Sequence, residues 1–502
     1  MTPVRGGTGG GVAAALREHR LFLCLLAVAA AVRVCVAVAY APALFFTDSW
    51  GYLGSAYDAT LVRRMVDRPS GYGVFIKILS IAGRNLDVLV AAQHVAGLAI
   101  GILAYLLLGR LHAPRWTSLG VAAIILLDAY LLALEQHVLP EALFGLLLMA
   151  SAYLLVTRDS TAALAASGVL LAAAATVRTA ALFAVPVWLA YVLLRQRPWR
   201  RIGIAAAALA LPLVVYPGAQ AASGGGFSLN GSGGWFLYGR VAQIADCSSM
   251  HVAPAARGLC EPTGRPRQGA AFYVWSDRSP AVKTFGHLGG PRTEEADRVL
   301  GQFARATIRA RPGAYIRMVS GDVLRYFRPG TRSLGRSDTA IHFPARLSGE
   351  QLQPAAMQRF WGRPLALRFR PPAGAVRGYA RVVHVPRWAL GLLAILGVAT
   401  TLLAAVPDLR PHLRGTSEGL VLLWMGLAMV VGAAATSDFI IRYLVPSAPL
   451  ILCGGTLVAC ALARNAGILR QGRARAGADG GRGDVAAATR WADAGRSRTP
   501  RP

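Results

Sequence analysis

Asp48 comes directly after the first apolar block of the chain, in the segment Phe46-Thr47-Asp48-Ser49-Trp50-Gly51-Tyr52. A carboxylate just beyond a membrane helix and among aromatic side chains is partly desolvated, which suits a general base. Tyr52 is expected to line the same substrate cavity. Alternatively, Thr47 or Asp48 caps a juxtamembrane helix, and the two roles are compatible because a cap position also fixes the carboxylate.

Other ionisable side chains lie at the ends of later apolar blocks. Arg178 and Arg442 stand against the usual charge bias of membrane proteins, so each is either a snorkelling anchor or a ligand for an anionic group. A guanidinium can bind a phosphate bidentately, which makes Arg442 a candidate phosphate ligand. Glu141 lies just inside an apolar block, where an ionisable group needs a cavity or a partner. Asp438 lies in the turn before Arg442 and places an acid beside this cation.

The turn before Glu141 carries two further candidates for the cavity, Glu135 and His137. His137 is more typical of a satisfied interfacial histidine than of a metal ligand.

The elements that must position these residues are membrane helices. Of the 502 residues, 55% are hydrophobic and only 15% are charged, and the mean hydropathy is +0.45. The apolar residues form blocks of about 20, long enough to cross a hydrocarbon layer of roughly 30 Å. The sequence predicts about ten spans: 21–40, 88–109, 117–134, 139–156, 161–177, 179–195, 202–219, 388–406, 418–436 and 441–462. The expected fold is an all-α polytopic membrane protein with one extracytoplasmic soluble domain.

Arginines in the short loops set the orientation, because basic residues near span ends are retained on the cytoplasmic side. They place both termini in the cytoplasm of a cell-membrane protein. The predicted parts are a cytoplasmic N-terminus (1–20), an N-terminal transmembrane module (21–219) with its first outer loop (41–87), an extracytoplasmic domain (220–387), C-terminal transmembrane helices (388–462) and a disordered basic cytoplasmic tail (463–502).

The net charge of +29, from 53 Lys and Arg against 24 Asp and Glu, would suit a nucleic-acid-binding protein. Sorted by side of the membrane, however, many arginines are topology markers, and others belong to the outer segment or the tail, so no nucleic-acid partner is expected. No P-loop, HExxH, GxSxG or zinc-ligand spacing is present. Cys247 and Cys260 lie in the outer segment, where an oxidising exterior allows a disulfide; two free thiols are the alternative.

Four motifs together resemble the GT-C membrane glycosyltransferases, which include the protein O-mannosyltransferases and the lipid A aminoarabinose transferases. They are Asp48 with Gly51 to Leu53, the turn Arg68 to Tyr72, the start of the fourth span at Pro140 to Phe144, and Arg442 to Pro446. The resemblance covers roughly residues 15–220 and 388–460.

The resemblance implies transfer of a sugar from a polyprenyl phosphate to a glycan, glycolipid or protein acceptor at the outer leaflet, with inversion. Asp48 would be the general base, and Arg442, Arg178 and Arg68 would hold the donor phosphate. Glu135 and Glu141 would shape the cavity. Ser49 stands where many members carry a second acid, which argues against a metal site. No cofactor is therefore expected.

A lipid or polysaccharide transporter or flippase without transferase activity is the main alternative function. It should show internal repeats and charges at the midplane, whereas the polar residues of this chain cluster at the outer ends of the spans.

Overall fold

The computed structural model describes residues 17–56, 68–83, 85–195, 198–222, 226–262, 267–288, 290, 292–329, 341–346 and 369–467. Within these ranges all regular secondary structure is helical, and β-type pairing is limited to one isolated parallel bridge between Leu44 and His137. The predicted all-α class is therefore confirmed for the described residues. Residues 1–16 of the predicted N-terminus and 468–502 of the predicted tail lie outside them.

Ten α-helices lie among the described residues between 20 and 222. They are α1 Arg20–Ala39, α2 Thr47–Ala56, α3 Gly71–Leu79, α4 Leu86–Arg110, α5 Arg115–Leu127, α6 Ala129–Gln136, α7 Glu141–Thr157, α8 Thr161–Val177, α9 Val185–Arg195 and α10 Trp199–Ala222.

The later helices begin with shorter ones and end with long apolar ones. They are α11 Gly233–Ala242, α12 Ala270–Trp275, α13 Pro280–Phe285, α14 Glu294–Ala310, α15 Pro312–Phe327, α16 Pro372–Val382, α17 Arg387–Leu403, α18 Ser417–Thr436 and α19 Ala448–Gly467.

Six helical stretches among the described residues are long and apolar enough to cross a membrane: α1, α4, α10, Pro372–Leu403, α18 and α19. The pair α5 and α6 would make a seventh but bends by 43° between Leu127 and Ala129. Asp128 causes a new helix to start there, because its carboxylate accepts the Leu131 amide at 2.7 Å and caps α6. The predicted spans 139–156, 161–177 and 179–195 correspond to shorter apolar helices. In the described part of the chain, six or seven stretches are thus long and apolar enough to span a membrane, as in a polytopic membrane protein, against about ten spans predicted.

A buried polar network joins α1, α4 and α6. Glu135 is fully buried, and its two carboxylate oxygens accept hydrogen bonds from Arg33 at 2.8 and 2.9 Å. His94 Nδ1 lies 2.8 Å from the same carboxylate. The helices approach closely because residue 97 is glycine: a Cβ there would come within 1.7 Å of Glu135 Oε1. Each buried charge in this network thus has a partner, as burial requires.

The predicted outer segment 220–387 contains structurally different parts. Helices α11 to α14 build a hydrophobic core of their own around Trp235, Tyr238 and Phe303. Helix α15 instead packs on α17 and α18, and α16 packs on α1 through Val376. The helices α11 to α14 therefore have a core of their own, and both α15 and α11 contact the membrane helix α18.

Candidate active site

A cavity of about 1070 Å³ lies where the ends of several apolar helices meet α11 and α12. One part of its lining comes from Phe46 and the start of α2, from Arg68 ahead of α3, from Arg178 after α8 and from the loop that follows α18. The other part comes from α11, α12 and Arg292. The residues that line it are Phe46, Thr47, Asp48, Gly51, Tyr52, Arg68, Arg178, Phe236, Ala270, Ala271, Phe272, Val274, Trp275, Ser276, Arg292, Ser437, Asp438, Ile440, Arg442 and Tyr443.

Asp48 is held at this cavity by backbone pairing of its own loop. The Leu44 amide donates to the Gln136 carbonyl at 2.9 Å, and the Leu44 carbonyl accepts from Val138 at 3.0 Å. Ser49 Oγ then donates to the Val138 carbonyl at 2.9 Å. Helix α2 begins one residue before Asp48, so the carboxylate lies in the first turn, where the helix dipole favours negative charge.

Two guanidiniums hold the Asp48 carboxylate, whose side chain is 21% exposed. Arg442 Nη2 lies 2.9 Å from Oδ2, and Arg68 Nη1 lies 3.1 Å from Oδ1. Burial by itself raises the pKa of Asp48, but the charges of Arg442 and Arg68, with a hydrogen bond from Arg442, outweigh burial and lower this pKa to about 2. Asp48 is therefore ionised at neutral pH, and its affinity for a proton is low while both arginines face it.

Glu141 is the second carboxylate partner of the arginines. It is fully buried, it forms an ion pair with Arg178, and its Oε1 lies 3.4 Å from Arg442 Nε. Glu141 does not line the cavity; it contacts the two arginines that do. Arg442 Nη1 is buried and has no hydrogen-bond partner among the described residues. Two carboxylates therefore partly neutralise the arginines of the cavity, and Arg442 keeps one N–H group without a partner among the described residues.

Aromatic rings fix the directions of the three arginines. Arg68 lies 5.1 Å from the centre of the Tyr52 ring, and Arg178 lies 5.1 Å from that of Tyr443. Arg442 lies 5.0 Å from the centre of the Phe46 ring. Such cation–π contacts hold a guanidinium without neutralising it.

Tyr52 also contributes a hydroxyl to the site. Burial raises the pKa of Tyr52 to about 12, so this hydroxyl remains protonated at neutral pH.

Asp438 also lines the cavity, and it connects the loop before Arg442 to α12. Its carboxylate accepts from the Phe439 amide at 2.8 Å, and the nearby backbone amide of Ala271 in α12 also acts to lower its pKa. Burial raises the pKa of Asp438 above its ordinary value. The two acids at the cavity therefore differ, since arginines lower the pKa of Asp48 whereas burial raises that of Asp438.

The structure brings together Asp48, Tyr52, Arg68, Arg178, Asp438 and Arg442, with Glu141 behind the arginines. It does not place Glu135 or His137 in the cavity lining. Glu135 is turned toward Arg33 and His94, and His137 Nδ1 lies 2.6 Å from the Ala133 carbonyl.

Cys247 and Cys260 form a disulfide, with Cα atoms 5.9 Å apart, outside the cavity lining. No group of three His, Cys, Asp or Glu side chains among the described residues could hold a metal ion.

Sequence reasoning missed the residues of α11, α12 and Arg292 that line the cavity. The relevant signal is the concentration of aromatic residues in Trp235-Phe236 and Phe272 to Trp275. Aromatic residues at such spacing are as typical of a hydrophobic core as of a cavity wall. Trp235 and Tyr273 do lie in a hydrophobic core. Only the fold shows that Phe236, Phe272 and Trp275 reach the cavity.

No protein-family model matches the chain, and no curated protein matches it. Similar solved structures include the S. cerevisiae protein O-mannosyltransferase Pmt1-Pmt2 complex bound to the sugar donor, with 18% identity and a TM-score of 0.34 over 50% of this chain and 38% of that one. They also include the oligosaccharyltransferase AglB from Archaeoglobus fulgidus in complex with an inhibitory peptide and a dolichol-phosphate, with 12% identity and a TM-score of 0.37 over 88% of this chain and 50% of that one. The chain therefore spans half or less of the length of either.

Proposed function

We propose that the protein is an inverting glycosyltransferase that takes a sugar from a polyprenyl phosphate at the outer face of the cell membrane. The observation that carries this proposal is the meeting of one carboxylate, Asp48, with Arg68, Arg178 and Arg442 at a single cavity. These residues come from four separate places in the sequence, at the outer ends of predicted spans. Their convergence suits a reaction in which a phosphate leaves and a hydroxyl loses a proton.

The arginines hold the donor phosphate in this proposal. The phosphodiester of a polyprenyl-linked sugar carries one negative charge, and a second charge develops as the bond to the sugar breaks. Guanidiniums that are already oriented stabilise this developing charge without reorganisation. Arg442 is best placed, because it lines the cavity and contacts the Asp48 carboxylate directly at 2.9 Å. The aromatic rings beside the arginines keep them at the cavity whether or not phosphate is bound.

Asp48 acts as the base. The acceptor hydroxyl attacks the anomeric carbon, the bond from that carbon to the phosphate oxygen breaks, and the hydroxyl proton passes to Asp48. Polyprenyl phosphate leaves with the bonding electron pair, and the configuration at the anomeric carbon inverts. In the free protein Asp48 is a weak base, since Arg442 and Arg68 both face it. A donor phosphate competes for these arginines and so raises the proton affinity of Asp48 when the donor is bound.

A lipid-linked donor arrives in the plane of the membrane already activated. The chain therefore needs no nucleotide site, which fits the absence of a nucleotide-binding motif from the sequence.

An assay of sugar transfer from a radiolabelled polyprenyl phosphate sugar tests the proposal. It uses purified full-length protein in lipid nanodiscs, and a membrane extract supplies the acceptor. Asp48→Asn should lower kcat at least a hundredfold while donor binding persists, and Arg442→Ala should weaken donor binding. Asp159→Asn is the matched control, because Asp159 pairs with Arg201 at 3.1 Å far from the cavity and is 86% exposed. Full transfer by a folded Asp48→Asn variant would refute the role of Asp48. Movement of the lipid between leaflets without any transfer by the wild type would favour a flippase.

A further inference from the structure

We infer that Phe236, Trp275 and Arg292 form the acceptor subsite of the cavity, and that the acceptor it takes is a carbohydrate whose ring stacks on Trp275. This inference rests on the proposed function and adds the substrate class to it. We call these three residues the aromatic wall.

The cavity has two chemically different walls that belong to different elements. Asp48 and the arginines that hold it extend from the outer ends of the membrane helices. The aromatic wall belongs to α11, to α12 and to the segment before α14, which build a separate hydrophobic core. The first wall offers three arginines to a phosphate and the aromatic wall only Arg292, so the donor headgroup goes to the first wall. The second wall is left for the other substrate.

Trp275 is fixed in place while half of its surface is exposed. Its ring packs edge to face against Trp235 at 5.1 Å and against Phe236 at 5.8 Å between centroids, and the residue remains 50% exposed. Helix α12 lies close to α11, because a Cβ at Gly239 would come within 2.2 Å of Val274. A large apolar ring that is already rigid loses little conformational entropy on binding, which is characteristic of a recognition site.

Arg292 adds hydrogen-bond donors to this surface. Its guanidinium lies 5.1 Å from the centre of the Trp235 ring and 5.8 Å from that of Trp275. The cation–π contacts orient the guanidinium and leave its N–H groups free of any carboxylate among the described residues. The hydroxyls of Ser276 and Ser437 also line the cavity.

A sugar ring matches this combination. Its C–H groups form an apolar face that carries a slight positive charge and packs on the electron-rich face of an indole. Its hydroxyls lie around the edge of the ring, where a guanidinium and serine hydroxyls can bind them. An extended peptide commonly binds by adding a strand to a sheet edge, and the described residues contain no strand that offers one. A lipid chain would need a continuous apolar groove instead of charged and hydroxyl groups.

The aromatic wall is also tied to the cationic wall. The backbone amide of Ala271, at the start of α12, is near enough to the Asp438 carboxylate to lower its pKa, and the same loop carries Arg442. A stacked acceptor sugar would therefore be held at a fixed distance from the donor phosphate. Such fixed geometry is what a displacement at the anomeric carbon requires.

Separate binding measurements on the two walls test the inference, with the full-length protein in nanodiscs. The probes are short linear oligosaccharides of glucose, mannose, galactose and arabinose, a Ser/Thr-containing peptide mixture, and undecaprenyl phosphate. Binding is measured by saturation-transfer NMR for the soluble probes and by native mass spectrometry for the lipid. The variants are Trp275→Ala, Arg292→Ala and Arg442→Ala. Phe227→Ala is the control, because Phe227 is 65% exposed in the same part of the chain but does not line the cavity.

At least one oligosaccharide should bind the wild type, and its Kd should rise about tenfold in Trp275→Ala, the loss expected for one ring-face contact. The Kd should also rise in Arg292→Ala and stay unchanged in Phe227→Ala and Arg442→Ala. Trp275→Phe should recover part of the affinity, which a loss of folding would not allow. The inference would be overturned by any of three results: no oligosaccharide binds, an oligosaccharide binds equally well without Trp275, or the peptides bind in a way that depends on Trp275.

Undecaprenyl phosphate separates this inference from the proposed function. Its binding should depend on Arg442 and not on Trp275. If lipid binding does not depend on Arg442, the proposed function fails whatever the oligosaccharides show. If lipid binding depends on Arg442 but no oligosaccharide depends on Trp275, only the acceptor assignment fails.

Discussion

Replacing Asp48 by Asn should lower the free energy of unfolding at neutral pH, and this loss should become smaller as the pH falls. The pKa of this carboxyl drops from 3.8 to about 2 in the folded protein. A difference of roughly 1.8 pH units corresponds to about 2 to 3 kcal/mol of folding free energy, at about 1.36 kcal/mol per unit. Because the folded pKa is depressed, this stabilisation is fully present above about pH 4. It is lost as the pH falls through the folded value near 2.

The assay compares the free energy of unfolding of the wild type and of Asp48→Asn in detergent at several pH values between 7 and 2.5. The difference between them should be about 2 to 3 kcal/mol at pH 7 and should shrink steadily below pH 4. The control Asp159→Asn removes an exposed ion pair and should cost about 0.5 kcal/mol or less. Removing Arg442 as well should abolish most of the pH dependence, since its charge is the largest favourable influence on Asp48. A difference that does not change between pH 5 and pH 2.5 would refute the reasoning.

Three further substitutions test the surroundings of the site. Glu141→Gln should cost about 3 kcal/mol, because Arg178 loses its carboxylate partner and Arg442 keeps only Asp48. Undecaprenyl phosphate should raise the melting temperature of this variant more than that of the wild type, because its phosphate replaces the lost charge. Equal increases in melting temperature would show that Glu141 and the phosphate do not share the arginines. Arg33→Met and Glu135→Gln should each lower the free energy of unfolding by about 3 to 5 kcal/mol, and the double variant should lose clearly less than the sum of the two. Additive losses would show that the two residues are not coupled. Replacing Cys247 and Cys260 by Ser should cost about 3 kcal/mol of unfolding free energy, because it opens a loop with a sequence separation of 13 residues; the same melting temperature with and without reductant in the wild type would argue against the disulfide.

The positions of acids in the sequence predict only some of the residues at the cavity. In the sequence Glu135 and Glu141 look alike, since both are acids at the ends of apolar blocks that are predicted to face outward. In the structure Glu135 pairs with Arg33 and His94, whereas Glu141 pairs with Arg178 and Arg442. The difference depends on which helix face each side chain occupies. The bend at Asp128 sets that face for α6, and hydropathy does not reveal this bend.

The aromatic wall lies beyond sequence reasoning for another reason. Phe236 and Trp275 come from short helices in a segment without a family resemblance, and their neighbours Trp235 and Tyr273 are core residues. Whether an aromatic side chain is buried or lines a cavity depends on how α11 packs on α14. The glycine at position 234 permits that packing, because a Cβ there would come within 2.0 Å of the Asp297 carbonyl.

The sequence by itself determined that the chain is built from apolar helices, and it marked Asp48, Arg178 and Arg442 as charges at the ends of those helices. Hydropathy and charge bias are local properties, so a single pass along the chain can read them. Only the tertiary structure decided that these residues share one cavity, that Glu141 stands behind the arginines, and that Trp275 faces the same space. Ion pairs such as Asp48 with Arg442 join residues far apart in the chain. Their geometry is set by helix packing, which no local pattern encodes.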